Sequence, residues 1–336
     1  MSADVLSEVL RAVRLTGAVF FNIEGSAPWV AEAPSAAVVA PLVLPGAEHV
    51  IEYHAVVSGT CWAGIAGEPQ VHLEEGDIIV FPQGDAHTIS SAPGMRGRVE
   101  VDMYRHPEGG QLPVAVTFDN SGSERAHIVC GFIGCDAGPF NPLLATLPRV
   151  IHVQKKLAVE SVWVAHLIHV AVHESEAKKA GGETMLARLS ELMFIEVVRY
   201  YLSTLPSDTT SWLAGLRDEV TGRALSALHD RPAHDWSLEE LAREVGLSRS
   251  VLAERFHHYV GVPPMNYLAR WRMQLAATLL SGTNLSLAEV AERVGYGSEA
   301  ALSRAFKRLV GVAPSAWREG GDARRPSALA PAAEVY

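Results

Sequence analysis

The chain has 336 residues, with 28 Lys and Arg against 38 Asp and Glu, a formal net charge of −10, and 48% apolar residues. That is enough chain for two or three domains rather than one; its apolar runs are broken by charge, Gly or Pro before a membrane span is complete, and the start, MSADVLSEVLRAVRLTG, lacks the continuous apolar core of a signal peptide. Three cysteines, Cys61, Cys130 and Cys135, are too few and odd in number for a disulfide framework, so reduced thiols and a cytoplasmic location are expected.

Residues 4–15 read as an amphipathic helix with Val5, Leu6, Val9, Leu10 and Val13 on one side. From Gly17 to about Val116 the pattern turns to short β-rich runs between Gly and Pro: GAVFFNI, YHAVVSGTCWAGIAG, VHLEEGDIIVFP, GRVEVDMY and LPVAVTF. Closely spaced runs of this kind predict a sandwich or barrel. Within them Gly76 to His87, GDIIVFPQGDAH, has the pattern G-x5-P-x-G-x2-H: a turn, a buried strand, a Pro-Gly bend and a His re-entering the barrel. This run resembles the second cupin motif, and Glu52 with Gly59 resembles the end of the first, E-x6-G. The His-x-His pair expected just before that Glu is missing, since only His49 and His54 are nearby.

The departure leaves two readings of the barrel interior. Glu52 and His54 are two apart on a strand and share a face. With His87 they make three ligands, the minimum for a catalytic Zn or Fe(II). Alternatively, His54 and His87 are hydrogen-bonded core histidines or line a pocket for an organic effector, the reading favoured by the rarity of metal sites among lone histidines.

From Asn141 to about Leu205 the period is helical. Leu157–His173 and Thr184–Leu202 flank the breaker AKKAGGE and predict an antiparallel helix hairpin. The second helix is apolar over more than one face, through Leu186, Leu189, Leu192, Met193, Ile195 and Val197, which points to an additional partner. His166, His169 and His173 share a helix face at metal-compatible spacing, but without acidic or Cys company they read as packed or solvated histidines. Residues 206–211 form a polar linker, and Trp212–Asp230 one further helix.

The remainder is a duplication. An offset of 49 pairs Leu238 with Leu287, Leu241 with Val290, Val245 with Val294 and Gly246 with Gly295; one residue is then added, and an offset of 50 pairs Ser248 with Ser298, Leu252 with Leu302, Phe256 with Phe306 and Tyr267 with Trp317. Two helix–turn–helix copies with turns of unequal length produce such a step. Gly295 is placed to end its helix in the left-handed conformation, and Ser298 to cap the next. Leu302 and Phe306 face inward, which leaves Ala300, Ser303, Arg304 and Lys307 outward, matched by Ser250, Ala253, Glu254 and His257 in the first copy. One such helix alone is a major-groove reader or an arm of a solvated αα-hairpin. Two copies favour the reader, because the helix former Pro264–Leu280, about 17 residues at ~1.5 Å each, spans most of the roughly 34 Å between successive major-groove faces.

Charge follows the same division. Residues 231–325 hold 13 Lys and Arg against 10 Asp and Glu, while residues 1–230 hold 15 against 27. The basic excess sits with the repeats, and the acidic front half has another task. After Glu319 the run GGDARRPSALAPAAEVY lacks periodicity and reads as a disordered tail.

WSLEELAREVGLSRSVLAERF and GVPPMNYLARWRMQLA in the first copy, with VAERVGYGSEAALSRAFKRLVGVAPSAWR in the second, resemble the DNA-binding domain of the AraC/XylS-type transcription regulators. The resemblance implies that Ser248–His258 and Ser298–Arg308 enter consecutive major grooves, and that the helix hairpin dimerises the protein. YHAVVSGTCW, GDIIVFPQGDAH, CGFIGCD and NPLLATLPRVIHV are similar to the cupin-type sensor half of one branch of that family. In that light Cys130 and Cys135 have three candidate roles: a disulfide, reaction with an oxidant or electrophile, or metal ligation beside His54 and His87. Buried apolar thiols are the plainer reading.

The expected chain is α+β: a cupin β-barrel sensor over 1–140, a helical dimerisation hairpin and linker over 141–211, an all-α double helix-turn-helix domain over 212–320 and a tail over 321–336. It is expected to be a sequence-specific transcription regulator, an activator by the family's commoner habit. Its expected partners are double-stranded DNA, RNA polymerase, a second copy of itself, and a small-molecule, metal or reactive effector, with no membrane. Arg304 is the expected base contact, since Arg pairs bidentately with guanine. Ser250, Ala253, Glu254, Ala300 and Ser303 adjust the site by hydrogen bonds or methyl contacts, Ser298 stands at the helix start, and Arg249, Arg255, Lys307 and Arg308 hold phosphates. The alternatives are a metal-dependent cupin oxygenase or isomerase with an appended DNA module, using Glu52, His54 and His87, and a helical protein–protein scaffold.

Overall fold

β-rich runs in the front half become β1 (Thr16–Ser26), β2 (Val30–Ala33), β3 (His49–Ile65), β4 (Val71–Glu74), β5 (Ile78–Phe81), β6 (His87–Ser90), β7 (Val114–Asp119), β8 (Arg125–Cys135) and β9 (Ile151–Val153). The computed structural model describes residues 4–106, 111–155 and 161–320. Hydrogen-bonded neighbours run β2-β6-β3-β8-β1-β7, with β4 and β5 also on β3 and β9 on β5. Long β3 serves two sheets: it pairs β8 over His49–Gly59 and β6 over Trp62–Ile65. The result is a half-barrel whose interior is filled by Phe20, Phe21, Phe81, Tyr104 and Phe132. Two segments differ from expectation. GRVEVDMY forms no strand; Glu32 holds the Arg96 guanidinium and accepts from Gly97 N–H, and Val101–Tyr104 is a 3-10 turn that seats Tyr104 against Phe21. Helix α2 (Ala36–Val43) was not expected, because AAVVAPLV is too uniformly apolar to show a period.

The chain divides into two compact units that do not follow the expected boundaries. One comprises Arg14–Asp136 with Leu147–Thr204, so helices α3 (Ser161–Ala177) and α4 (Gly182–Thr204) belong with the half-barrel rather than forming a domain of their own. The reason is close packing. A Cβ on Gly17 of β1 would lie 2.3 Å from the Ala187 carbonyl oxygen of α4, and Tyr53 Oη on β3 hydrogen-bonds Ser190 Oγ at 2.7 Å. On α3, His166, His169 and His173 are exposed, as solvated histidines would be.

The other unit holds α5 (Trp212–Arg217), α6 (Glu219–Asp230), α7 (Leu238–Glu244), α8 (Arg249–Val260), α9 (Pro264–Gly282), α10 (Leu287–Arg293), α11 (Glu299–Val310) and α12 (Pro314–Glu319). It also takes in α1 (Val5–Ala12), expected in the sensor domain, and Ala137–Thr146, which straddles the expected boundary between the sensor domain and the helical hairpin. Buried Gln274 of α9 explains their place: its Nε2 donates to the Ala12 carbonyl at 3.3 Å, and its Oε1 accepts from Phe140 N–H at 3.0 Å. The single helix expected over Trp212–Asp230 is two, because Asp218 caps α6 by accepting from Thr221 N–H at 2.8 Å. The expected tail, 321–336, lies outside the described residues.

Candidate nucleic-acid interface and buried sensor cluster

Both turns close by the same chemistry. In the second copy Gly295 has φ +79° and its N–H reaches Glu292 O, while Tyr296 N–H reaches Ala291 O at 2.8 Å, the hydrogen-bond pair of a left-handed helix end. Gly246 (φ +75°) and Leu247 repeat the pattern on Arg243 O and Ala242 O. Ser248 Oγ then accepts from Val251 N–H and Ser298 Oγ from Ala301 N–H, which starts α8 and α11. Leu252 and Phe256, like Leu302 and Phe306, are fully buried. Phe256 meets Tyr267 edge-on at 5.7 Å and Phe306 meets Trp317 at 5.8 Å, so the internal equivalence extends to the aromatic pair that anchors α8 and α11.

The outward faces carry the expected residues. Arg249, Ser250, Glu254, Ser298, Ala300, Arg304, Lys307 and Arg308 are exposed; Ala253 and Ser303 are half-buried. Arg304 and Lys307 have no ion pair among the described residues, and Arg249 comes only to 4.0 Å from Glu239. Arg255 departs from its expected role as a phosphate contact. Its Nε and Nη2 donate to both oxygens of Asp218, at 3.0 and 2.6 Å, and bind the start of α6 to α8. Burial alone would raise the Asp218 carboxyl, yet the bonds from Arg255 and Thr221 hold it down to about 2. Arg255→Ala is accordingly expected to lower the stability of this unit by about 1 kcal/mol. Thermal denaturation reads that loss, while the salt slope of DNA binding should stay as it is and fall by about one for Lys307→Ala.

Inside the half-barrel Glu52, His54 and His87 do meet. His87 Nδ1 donates to the Asp85 carbonyl at 2.8 Å, so its Nε2 accepts, and His54 Nε2–H donates to it at 2.6 Å. Glu52 Oε2 stands 3.8 Å from the same His87 nitrogen, and Phe81 stacks on the His87 ring at 3.8 Å. Burial drives His54 well below its ordinary value, helped by His87; it lowers His87 to about 4 and pushes Glu52 up to about 8. All three are therefore neutral near pH 7. Among the described residues no three His, Cys, Asp or Glu side chains are arranged to hold a metal. Glu52, His54 and His87 thus form the cluster of hydrogen-bonded core histidines that the favoured reading expected, with the two imidazoles bonded to each other.

The cysteines follow the plainer expectation of buried apolar thiols. Cys130 and Cys135 lie five apart on β8 and so face opposite sides of the sheet, which rules out their joint site. Cys130 is directly opposite His54 in the β3–β8 register and shares its face. All three thiols are free and buried. Burial raises Cys130 well above its ordinary value, with Cys61 and Glu52 adding, and pushes Cys61 and Cys135 up to about 12, the opposite of an activated thiolate.

Three participants escaped the sequence reading. Cys61 and Tyr104 join the barrel cluster through folds of the chain that no local pattern announces; burial first, then Glu52 and Cys130, keep the Tyr104 phenol un-ionised. Asp218 did have a signal: an acidic residue before a helical run is a cap candidate.

Two family descriptions match the chain: Cupin over residues 4–203 and Helix-turn-helix domain over 241–320. A putative AraC-like transcription regulator of Streptomyces lividans is 34% identical over 278 residues, covering 81% of this chain and 88% of that protein. The HTH-type transcriptional regulator AlkR of Acinetobacter baylyi is 27% identical, covering 94% and 99%. Among solved structures, the DNA-binding domain of AdpA in complex with a target DNA is 31% identical, covers 32% of this chain and 96% of that one, and has a TM-score of 0.30. These relatives are transcription regulators, not enzymes, and the oxygenase or isomerase alternative is set aside.

Proposed function

Since the chain belongs to the AraC family of transcription regulators, with a cupin sensor domain and a helix-turn-helix DNA-binding domain, we propose that it is a cytoplasmic homodimeric activator. In this reading an effector in the half-barrel controls how the tandem reading helices engage duplex DNA and RNA polymerase. The observation that carries it is the pair of exposed cations Arg304 and Lys307 on α11, unpaired among the described residues, on a helix anchored by Phe306. The effector binds at the buried cluster. Support comes from two side-chain atoms there, Glu52 Oε1 and His54 Nδ1, which are buried and lack a hydrogen-bond partner among the described residues. These unsatisfied atoms suit a small molecule that exchanges hydrogen bonds with them. The second copy docks on α4, where Met185 and Leu192, seven residues apart, are 51% and 50% exposed; Leu192→Glu should yield monomers in sedimentation.

Genome-wide recovery of bound DNA, with and without candidate effectors, tests the reading: a small set of promoters whose transcripts fall on deletion is expected. Arg304→Ala should weaken binding to a recovered operator about 10-fold and relax preference at one or two positions, measured by competition with single-base variants. Full sequence discrimination in that variant would remove Arg304 from the base contacts.

A further inference from the structure

The two reading helices present opposite charge at corresponding positions. Glu254 on α8 stands where Arg304 stands on α11, fifty residues on. Both are exposed, and Glu254, like Arg304, has no ion pair among the described residues. The rest of α8 does little to offset the carboxylate. Arg255 is held on Asp218, Arg249 lies at the helix start beside Glu239, and Val251 adds an apolar side chain that is 47% exposed.

A carboxylate facing DNA is repelled by phosphates, and it accepts hydrogen bonds but donates none. In the major groove only the amino groups of cytosine and adenine can donate to it, while guanine O6 and N7 and thymine O4 repel it. Glu matches the cytosine N4 amino group, whereas Gln is the side chain that pairs bidentately with adenine. An exposed valine one turn away suits the thymine methyl group. The second helix, with Arg304 and Lys307, suits guanine and phosphate.

We propose that Glu254 is a specificity-determining residue that makes the operator asymmetric: the α8 half-site carries cytosine under Glu254, flanked by a thymine whose methyl meets Val251, and the α11 half-site carries guanine. This rests on the DNA-binding reading and extends it to the sequence class of the site.

The test is selection of duplexes from a randomised pool by the full-length protein at low salt, with the α11 half defined as the one that changes in Arg304→Ala. Wild type should select cytosine at one position of the other half. Glu254→Gln should move that position to adenine and Glu254→Arg to guanine, each by about 10-fold in relative binding, with the α11 half unchanged. Deoxyuridine in place of the flanking thymine should weaken wild type about 4-fold, the worth of one buried methyl, and leave Val251→Ala unaffected. A purine or thymine preferred by wild type at that position overturns the proposal. So do identical preferences in all three proteins, or a change confined to the α11 half. Retention of no duplex at all would instead overturn DNA binding itself, an outcome told apart because no sequence is recovered.

Discussion

Alanine at Gly295 is expected to destabilise the C-terminal unit by about 3 kcal/mol, against about 1 kcal/mol for alanine at Gly246. Both glycines sit in the left-handed region, φ +79° and +75°, where a Cβ costs roughly 1–2 kcal/mol. They differ in what the Cβ would meet. At Gly246 nothing lies within 4 Å, whereas at Gly295 the new carbon would fall 2.5 Å from Ala233 O and 2.7 Å from Ala233 Cα. These are backbone atoms, fixed in turn by Arg272, whose Nε and Nη2 donate to the neighbouring carbonyls of Pro232 and His234 at 2.7 Å each. Overpacking of this kind adds about 1–3 kcal/mol. Amide hydrogen exchange in α10 and α11 distinguishes the variants, because two units need not unfold together. Equal losses at the two glycines would mean that the second turn does not rest on the loop before α7, and that the copies are joined by α9 alone.

The second large effect is in the half-barrel, where Glu52→Gln should roughly double the acid sensitivity of β3 and β8. The signs run in opposite directions. His54 and His87 are neutral when folded and gain protons on unfolding, so their contribution is present above the ordinary histidine value of 6.5 and is lost as pH falls, for His87 through about 4. Glu52 keeps its proton when folded and loses it on unfolding, so its contribution is full below 4.5 and is lost as pH rises through 8. Between pH 4.5 and 6.5 the carboxyl cancels one of the two histidines. Wild type should therefore lose stability on acidification there and Glu52→Gln about twice as steeply, while above pH 6.5 the variant should escape the alkaline loss. Hydrogen exchange of β3 and β8 amides across pH 4.5–8 measures both limbs. If Glu52→Gln destabilised the barrel at pH 7 and flattened the acid limb, Glu52 and His87 would be a charged pair and the neutral assignment would be wrong.

Much of the DNA-binding half was legible before folding, because its information is local and occurs twice. Gly246 and Gly295, Ser248 and Ser298, and Phe256 and Phe306 fix turns, caps and anchors within a few residues of one another, and the single inserted residue accounts for Gly297 in the longer second turn. The barrel was readable as strands and as one glycine-proline motif. What stayed hidden depends on distance along the chain. Nothing near Arg255 announces Asp218, 37 residues earlier, and nothing in α1 announces that Gln274 will hold the Ala12 carbonyl. The meeting of Glu52 with His87 was foreseen from motif spacing, but hydrogen bonding between the two imidazoles depends on ring orientations set by Phe81 and the Asp85 carbonyl. Spacing in the sequence left a Cys130–Cys135 disulfide open as one candidate, which the alternation of strand β8 closes.

The most direct measurement is a hydroxyl-radical footprint of the full-length protein on a recovered promoter fragment, taken at rising salt. Two protected segments on one face of the duplex, centred about 10 base pairs apart, are expected, and both should fade together as counterions compete for the phosphates. Protection of a single groove, or failure to retain any duplex at low salt with candidate inducers present, would contradict a tandem grip by α8 and α11.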